Sequence, residues 1–355
     1  MNGCGGTPTE AGGALQYASL LRIERADSFI VCDVENAWRR GDLLHRYVLV
    51  PKAQPLPTRL PEGTLLRTPL ERAVVFTSVH SALLFDLGAA SKIAGLCDCD
   101  YLVRPDLRAA VNSGKMLNMG AALQPNTEQI VLSRADALLV SPFQNAGYGA
   151  IERLGVPLVE CADYMETSPL GRAEWMRFYG LLFGCEARAD SLFKAIETDY
   201  NALSLKAKAA AQQPRVLADV AQGGTWLVPA GESTMGRLFS DAGADYCFGD
   251  IRKSGSANLS FERVFETASD ADFWFIRHGA PIDLTYEQLA RERAVYRQFR
   301  PWKEGHIYYC NVSRTPFFEN APFRPDLLLR DVVSVLHPEL VPAGERLFFS
   351  PLKHD

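Results

Sequence analysis

Aromatic and polar side chains follow the predicted strands of this sequence, at the points where open α/β sheets bind ligands. The larger candidates are His80, Tyr101, Phe143, Gln144, Tyr148, Tyr164, Trp226, Arg277 and Arg314. Smaller residues at the same positions are Thr77, Ser78, Cys97, Asp98, Ser141, Asp163, Gly223, His278, Asn311 and Ser313. Aromatic walls with a few placed polar groups suit a small-molecule cleft, and an arginine fork suits carboxylates. The set therefore predicts a binding cleft, although any one aromatic could equally fill the core.

Residue patterns typical of catalysis or of metal binding are missing from the sequence. There is no P-loop, no G-x-S-x-G, no H-E-x-x-H, and no G-x-G-x-x-G after a strand. The six histidines do not cluster, and among the eight cysteines only Cys97 and Cys99 are close, which favours buried free thiols with at most one bridge. His80 could ligate a metal or haem iron, but we expect the commoner role of hydrogen bonding to a backbone group. We predict no catalytic residue and no resident metal.

The elements that must position these side chains alternate between strand and helix. Residues 15–75 have the short alternating runs of strands and hairpins. From Val74 onwards strands and helices alternate twice over, which predicts largely parallel sheets with right-handed crossovers. Residues 127–140 and 261–276 also form a faint internal repeat, as two lobes built alike would produce.

The middle of the chain, residues 186–211, holds no Gly or Pro and repeats apolar residues at helical spacing. A helix of this length would span roughly 39 Å, long for one α/β layer. We predict an α/β fold of two Rossmann-like lobes joined by this helix. The predicted boundaries are a flexible tether at 1–14, an N-terminal lobe at 15–185, the bridging helix at 186–211 and a C-terminal lobe at 212–355.

Composition narrows the class of protein. A net charge of −5 argues against a nucleic-acid partner, and no apolar run is long enough to span a membrane. The first residues, MNGCGGTPTEAGG, are Gly- and Thr-rich and are expected to be disordered. A cysteine before a small-residue tether is also how mature bacterial lipoproteins begin. Cys4 is therefore predicted to be lipidated, with Met1 an expression start in place of a removed signal peptide.

Several stretches together resemble a known family. They are VVFTSVHSALLFDLGAASKIAGL, LQPNTEQIVLSRADALLVSP, RLGVPLVE, NLSFERVFETASDADFWFI and RPDLLLRDVVSVLHPEL. The chain resembles the solute-binding proteins of ABC importers that take up cobalamin, ferric siderophores and haem. The resemblance implies two lobes bridged by one helix, and a monomeric, extracytoplasmic receptor that performs no chemistry. Residues 15–70 depart from shorter family members and read as a subgroup elaboration.

The resemblance also implies partners. A receptor of this family delivers its ligand to a membrane permease, and one surface glutamate on each lobe pairs with permease arginines. By motif these fall on Glu128 in NTEQIV and Glu262 in SFERVF. The alternative for each is a solvated acid that the helix dipole favours.

The predicted ligand is an iron chelate of siderophore type or a corrinoid, held in the cleft without a covalent cofactor. Haem remains open, because Arg277 and Arg314 fit a siderophore, citrate or propionates alike. Two other classes also remain: a bilobed α/β enzyme that uses the same cleft, and a sensor or carrier without a transporter. A continuous bridging helix should permit only small lobe motion.

Overall fold

A computed structural model of the chain describes residues 15–341, 344 and 346–355. The predicted tether at 1–14, and with it Cys4, lies outside the described residues.

The chain first forms a four-stranded sheet, in the order β1-β2-β3-β4. Its strands are β1 (Leu21–Arg25), β2 (Ile30–Glu35), β3 (Leu43–Pro51) and β4 (Thr64–Thr68). The β1–β2 and β2–β3 pairs are antiparallel, whereas β3 and β4 are parallel. Cys32, Val34, Tyr47 and Leu49 are buried on the face that joins the main core. The sheet predicted from the alternating pattern is therefore present and packs on the N-terminal lobe.

The N-terminal lobe is built on a parallel sheet in the order β11-β10-β5-β6-β7. In chain order its elements are β5 (Ala73–Val75), α1 (Ser78–Asp86), β6 (Ile93–Leu96), α2 (Pro105–Asn112), β7 (Leu117–Asn118), β8 (Gly120–Ala121), β9 (Gln124–Pro125), α3 (Thr127–Ser133), β10 (Ala137–Val140) and β11 (Leu158–Glu160). Between β10 and β11 the chain forms a 3-10 helix, Gly149–Leu154.

Three helices then lead out of this lobe: α4 (Pro169–Glu174), α5 (Met176–Phe183) and the long α6 (Glu186–Lys208). Helix α6 ends at Lys208 instead of Ala211, and its last turn carries Lys206 and Lys208, whose charges complement the helix dipole.

The C-terminal lobe repeats the strand-and-helix alternation around a sheet in the order β15-β12-β17-β18-β19. In chain order its elements are β12 (Arg215–Ala218), β13 (Ala221–Gln222), β14 (Thr225–Pro229), α7 (Thr234–Asp241), β15 (Asp245–Tyr246), β16 (Ser256–Ser260), α8 (Phe261–Ala268), β17 (Phe273–His278), α9 (Tyr286–Glu292), α10 (Arg300–Glu304), β18 (Ile307–Asn311), α11 (Phe317–Asn320), α12 (Pro325–Leu336) and β19 (Ser350–Pro351). Strands β13, β14 and β16 form a separate antiparallel sheet. After α9 the chain is extended at Arg293, φ −153°, and continues as a 3-10 helix, Ala294–Gln298.

The two lobes share one topology. The strand order β6-β5-β10-β11 in the first corresponds to β15-β12-β17-β18 in the second, and all of these strands are parallel to their neighbours. Helices α3 and α8 precede equivalent strands, β10 and β17, which is where the sequence repeat was found. The resemblance between residues 127–140 and 261–276 therefore marks equivalent positions in two copies of one fold.

One apolar core runs through both lobes. Helix α6 packs on α5 of the first half and on α7 and α12 of the second. Phe178, Phe193, Val216 and Leu329 all belong to one buried cluster that continues from lobe to lobe. Because the bridging helix shares this core with both lobes, it is packed along its length and does not act as a free tether.

Candidate ligand-binding site

The carboxyl edges of the two parallel sheets adjoin. The Glu319 carboxylate, beyond β18, accepts hydrogen bonds from the backbone N–H groups of Val103 (2.9 Å) and Arg104 (2.6 Å), beyond β6. The ring of Phe323 lies 6.0 Å from the rings of both His80 and Tyr179. Loops that leave the sheets at their carboxyl ends thus hold the lobes together, and the space between these edges is the interlobe cleft.

On the N-terminal side the cleft contains a cavity of about 670 Å³. It lies where β5 and β10 end and their chains depart in opposite directions, the usual ligand position in an open α/β sheet. Thr77 and Ser141 contribute from the two strand ends. Phe143, Tyr148 and Leu123 add apolar and aromatic surface, with Phe143 60% and Leu123 91% exposed. This half of the site is mainly apolar.

Tyr148 and Tyr164 are both anchored through their hydroxyl groups. The Tyr148 hydroxyl donates to Glu160 Oε1 at 2.8 Å, and the Tyr164 hydroxyl donates to the carbonyl of Pro142. Burial, reinforced at Tyr148 by the Glu160 carboxylate, raises the pKa of both phenols above the ordinary value. Tyr164 lies beside Phe143, with ring centroids 6.4 Å apart. Both hydroxyl groups thus have acceptors within the N-terminal lobe.

On the C-terminal side a second cavity, of about 600 Å³, occupies the equivalent position between β12 and β17. Its lining is polar and includes Arg277, His278, Glu292 and Arg293. Each cavity thus lies at the strand-order reversal of its own lobe.

Arg277 is already paired within this lobe. Its guanidinium donates to both carboxylate oxygens of Asp219, at 3.0 and 2.5 Å, and its backbone N–H donates to the same group at 3.2 Å. Burial disfavours the guanidinium charge, but Asp219 outweighs burial and raises the pKa of Arg277. Arg314 is paired with Asp283 at 3.1 Å on the exposed surface. Neither arginine is thus free of a carboxylate partner in this structure, and their binding to a ligand stays a prediction.

Trp226 is placed differently from the expectation. Its side chain is fully buried, and its indole N–H donates to the carbonyl of Ala218 at 3.1 Å. It packs against Trp274 and Tyr296, with ring centroids 5.8 Å away in each case. The tryptophan is part of the C-terminal core and offers no surface to the cleft.

His80 is also buried, in an ionic network. Its Nε2 lies 2.6 Å from Asp163 Oδ1, and the same carboxylate accepts hydrogen bonds from Arg172 and Tyr179, both at 3.0 Å. Burial disfavours the imidazolium, but Cys161 and the Asp163 carboxylate outweigh burial and raise the pKa of His80. The ring of His80 therefore contacts the side chains of Thr77 and Asp163, and not the backbone group that was expected. His80 is not available to a ligand.

Tyr101 and Gln144 are exposed and stand apart from both cavity walls, with Tyr101 78% exposed. Two acids at strand ends have left-handed backbone angles: Asp98, the second residue after β6, at φ 54°, and Asp219, the first residue after β12, at φ 58°. Asp98 was among the smaller candidates from the sequence, whereas Asp219 was missed. Strained non-glycine residues at strand ends are common at binding sites, and an aspartate after an apolar strand is the sequence signal that could have found them.

Glu128 and Glu262 occupy equivalent places, each the second residue of a helix and exposed. The side chain of Asn126 caps α3, accepting from the Gln129 backbone N–H, and that of Ser260 caps α8, accepting from the Arg263 backbone N–H. The pKa of Glu262 is lowered by its own backbone N–H and by Ser260.

The described part of the chain offers neither a cluster of metal ligands nor a helix that could span a membrane. Residues 15–341, 344 and 346–355 contain no group of three His, Cys, Asp or Glu side chains able to hold a metal ion. No described helix combines the length and apolar character of a membrane span. The seven described cysteines are all free thiols.

The fold and the paired cavities define a two-lobed binding protein with its cleft at the carboxyl edges of two like sheets. Residues 74–312 match the family described as Periplasmic binding protein. The chain belongs to this family of non-enzymatic substrate-binding proteins, which confirms the resemblance noted in the sequence.

Three known proteins illustrate the relationship. An uncharacterised lipoprotein of Methanocaldococcus jannaschii is 23% identical over 320 residues, which cover 86% of this chain and 75% of the relative. A siderophore-binding protein of Vibrio cholerae, solved with Fe3+-Desferal, superposes with a TM-score of 0.57 at 16% identity, covering 75% of this chain and 98% of that one. A periplasmic haem-binding protein of Pseudomonas aeruginosa gives 0.60 at 17% identity, covering 81% and 100%. Both solved structures share the fold.

Proposed function

We propose that this protein is an extracytoplasmic receptor that binds an iron chelate or a corrinoid in the interlobe cleft and delivers it to the permease of an ABC importer. The main support for this proposal is the pair of cavities at the strand-order reversals, with volumes of about 670 and 600 Å³. Volumes of this size suit ligands of a few hundred daltons to a bulky chelate. The ligand of the Vibrio relative, a ferric siderophore, supports the iron-chelate class.

The polarity of the two cavity linings restricts the class of ligand. An apolar and aromatic surface lies on one side, and on the other the Arg277 charge is balanced by Asp219. Such a cleft suits a bulky ligand of low net charge, since a free arginine fork would be needed for several carboxylates. Haem, the ligand of the Pseudomonas relative, is the second candidate, and it would bind without His80 as an axial ligand.

Direct titration tests the ligand class. Ferrioxamine B, cyanocobalamin and haemin should be titrated into the purified protein, following intrinsic fluorescence and heat. We expect at least one to bind more tightly than about 100 μM, equivalent to roughly −5.5 kcal/mol. Phe143→Ala should weaken binding, whereas Tyr101→Ala, which removes an exposed aromatic outside the cavity walls, should not. Failure of all three probes would reject the proposed ligand class.

The permease contact is proposed for Glu128 and Glu262. One acid on each lobe, at equivalent capped helix starts, would let a two-fold permease hold both lobes at once, so losing either contact should cost more than its local energy. Glu128→Arg with Glu262→Arg should abolish uptake and leave ligand affinity unchanged. Glu266→Arg, a reversal on the exposed side of the same α8 helix, is the matched control. Normal uptake by the double variant would remove the docking role.

Attachment to a membrane is proposed through Cys4, and the lipoprotein relative supports it. Expression with a lipoprotein signal peptide should give a protein that partitions into detergent, and Cys4→Ser should release it into the aqueous phase. An aqueous Cys4-containing protein would contradict the anchor.

A further inference from the structure

The four strands β1 to β4 lie before residue 74, where the family match begins. They could be a separate layer that only adds stability. Instead, the interior strand β3 of this sheet contacts the last residue of β11, and that residue in turn touches a wall of the N-terminal cavity. That residue is Glu160.

Strand β3 holds Glu160 at two points. The His45 Nδ1 lies 3.1 Å from Glu160 Oε2, and the backbone N–H of Glu160 donates to the Tyr47 hydroxyl at 2.7 Å. The His45 ring stacks on Tyr47, with centroids 4.4 Å apart and planes 19° apart. Its Nε2 lies 2.7 Å from Thr64 Oγ1 on β4, which fixes the ring from the far side. Glu160 is therefore oriented by both its side chain and its backbone.

Glu160 in turn fixes Tyr148. Its other carboxylate oxygen, Oε1, accepts the Tyr148 hydroxyl at 2.8 Å, while the Tyr148 side chain forms part of the cavity wall. Glu160 lies behind this wall, with its side chain 12% exposed. A tyrosine ring attached only through its Cβ atom can change rotamer. A ring whose hydroxyl is also hydrogen-bonded keeps one orientation.

We propose that the N-terminal sheet sets the shape of the ligand cavity, with His45 and Glu160 as positioning residues that act through Tyr148. This inference rests on the proposed function, since it assigns the cavity to the ligand. It gives residues 21–68 a role in ligand affinity, and it predicts that the sheet is coupled to the cavity wall through the bond between Glu160 and the Tyr148 hydroxyl.

The test is a double-mutant cycle with the probe that binds best among ferrioxamine B, cyanocobalamin and haemin. Tyr148→Phe should weaken binding by about threefold to tenfold, the range expected for one hydrogen bond. Glu160→Ala should weaken it by a similar factor in the wild-type background and by less than about twofold in the Tyr148→Phe background. Glu160→Gln, which keeps an acceptor for the hydroxyl, should retain nearly wild-type affinity.

Asp33→Asn is the matched control. Asp33 is a buried acid of the same sheet, but its partners are Arg46 and Arg22, at 2.6 and 2.7 Å. It should lower stability without changing affinity. Equal losses of affinity from Asp33→Asn and Glu160→Ala, or additive losses from Glu160→Ala and Tyr148→Phe, would overturn the proposal.

A second measurement needs no ligand. In protein labelled with fluorotyrosine, the resonance that disappears in Tyr148→Phe belongs to Tyr148. Glu160→Ala and His45→Phe should both shift or broaden it, and Asp33→Asn should leave it unchanged. If no probe binds, the proposed ligand class fails while this experiment still decides the positioning role. An unmoved resonance would overturn the inference even if binding is found.

Discussion

The two lobes share a strand order but distribute polar and apolar side chains in opposite ways. The N-terminal lobe buries an ionic network, His80–Asp163–Arg172, and turns an apolar, aromatic wall to the cleft. The C-terminal lobe buries an aromatic cluster around Trp226 and Trp274, and turns the Arg277–Asp219 pair to the cleft. One topology can therefore offer a ligand two chemically different surfaces, because strand order fixes where a site lies and side chains fix what it binds.

The largest expected effect is a loss of stability when the His80–Asp163–Arg172 network is broken. Asp163→Asn should lower the free energy of unfolding by about 3–5 kcal/mol, because it removes the counter-ion of the buried His80 and of the partly buried Arg172. Denaturant unfolding measures this loss.

Trp226→Ala is the equivalent test for the aromatic cluster of the C-terminal lobe. The cavity that it leaves should also lower the free energy of unfolding by about 3–5 kcal/mol. A loss below about 1 kcal/mol from Asp163→Asn would show that the network is not a structural element of the N-terminal lobe.

The two cores should differ in pH dependence. The pKa of His80 is raised on folding, so its stabilisation is complete below about pH 6.5, the unfolded value, and is lost as the pH rises through the folded pKa. The pKa of Asp163 is lowered, so its stabilisation is present above about pH 4 and is lost as the pH falls through the folded pKa. The pair should contribute most between these limits.

The measurement compares His80→Gln with wild type at several pH values. The destabilisation caused by His80→Gln should shrink above about pH 6.5 by at most about 1.4 kcal/mol per pH unit. The destabilisation caused by Trp226→Ala should stay constant across the same range. A pH-independent cost of His80→Gln would mean that His80 is neutral in the fold.

A smaller effect is expected on ligand affinity when the Arg277–Asp219 pair is broken. Asp219→Asn keeps a residue type that tolerates the left-handed backbone but frees the Arg277 guanidinium. Binding of haemin, which carries carboxylates, should tighten by up to about tenfold, while binding of cyanocobalamin should hardly change. Asp283→Asn, which frees the exposed Arg314, is the control and should change neither affinity. Unchanged haemin binding in Asp219→Asn would separate Arg277 from the ligand.

The smallest expected change is in the relative placement of the lobes. Helix α6 shares one buried core with both lobes, so closure would have to break helical hydrogen bonds or repack that core. X-ray scattering curves with and without a bound probe should nearly superimpose. A clear fall in the radius of gyration would show that the lobes move despite the helix.

Local signals in the sequence predicted the framework well. Glu128 and Glu262 were considered as acids that a helix dipole favours, and each lies in the first turn of a helix, capped by Asn126 or Ser260. The strand–helix alternation gave two parallel sheets, and the long apolar period gave α6, displaced by three residues at its end. Capping, periodicity and glycine placement act within a few residues, so they can be read without the fold.

The site itself depended on contacts between distant residues. Being positioned after a strand does not say whether a side chain points to the cleft or to the core, which is why Trp226 and His80 were assigned to the ligand and are buried instead. The pairing of Arg277 with Asp219 joins residues 58 positions apart, and that of His45 with Glu160 joins the first sheet to the cavity. The sequence determined the lobes, the bridge and the edge where a ligand would sit. Only tertiary structure decided which side chains meet there, since burial and charge pairing are set by neighbours that the chain brings together from afar.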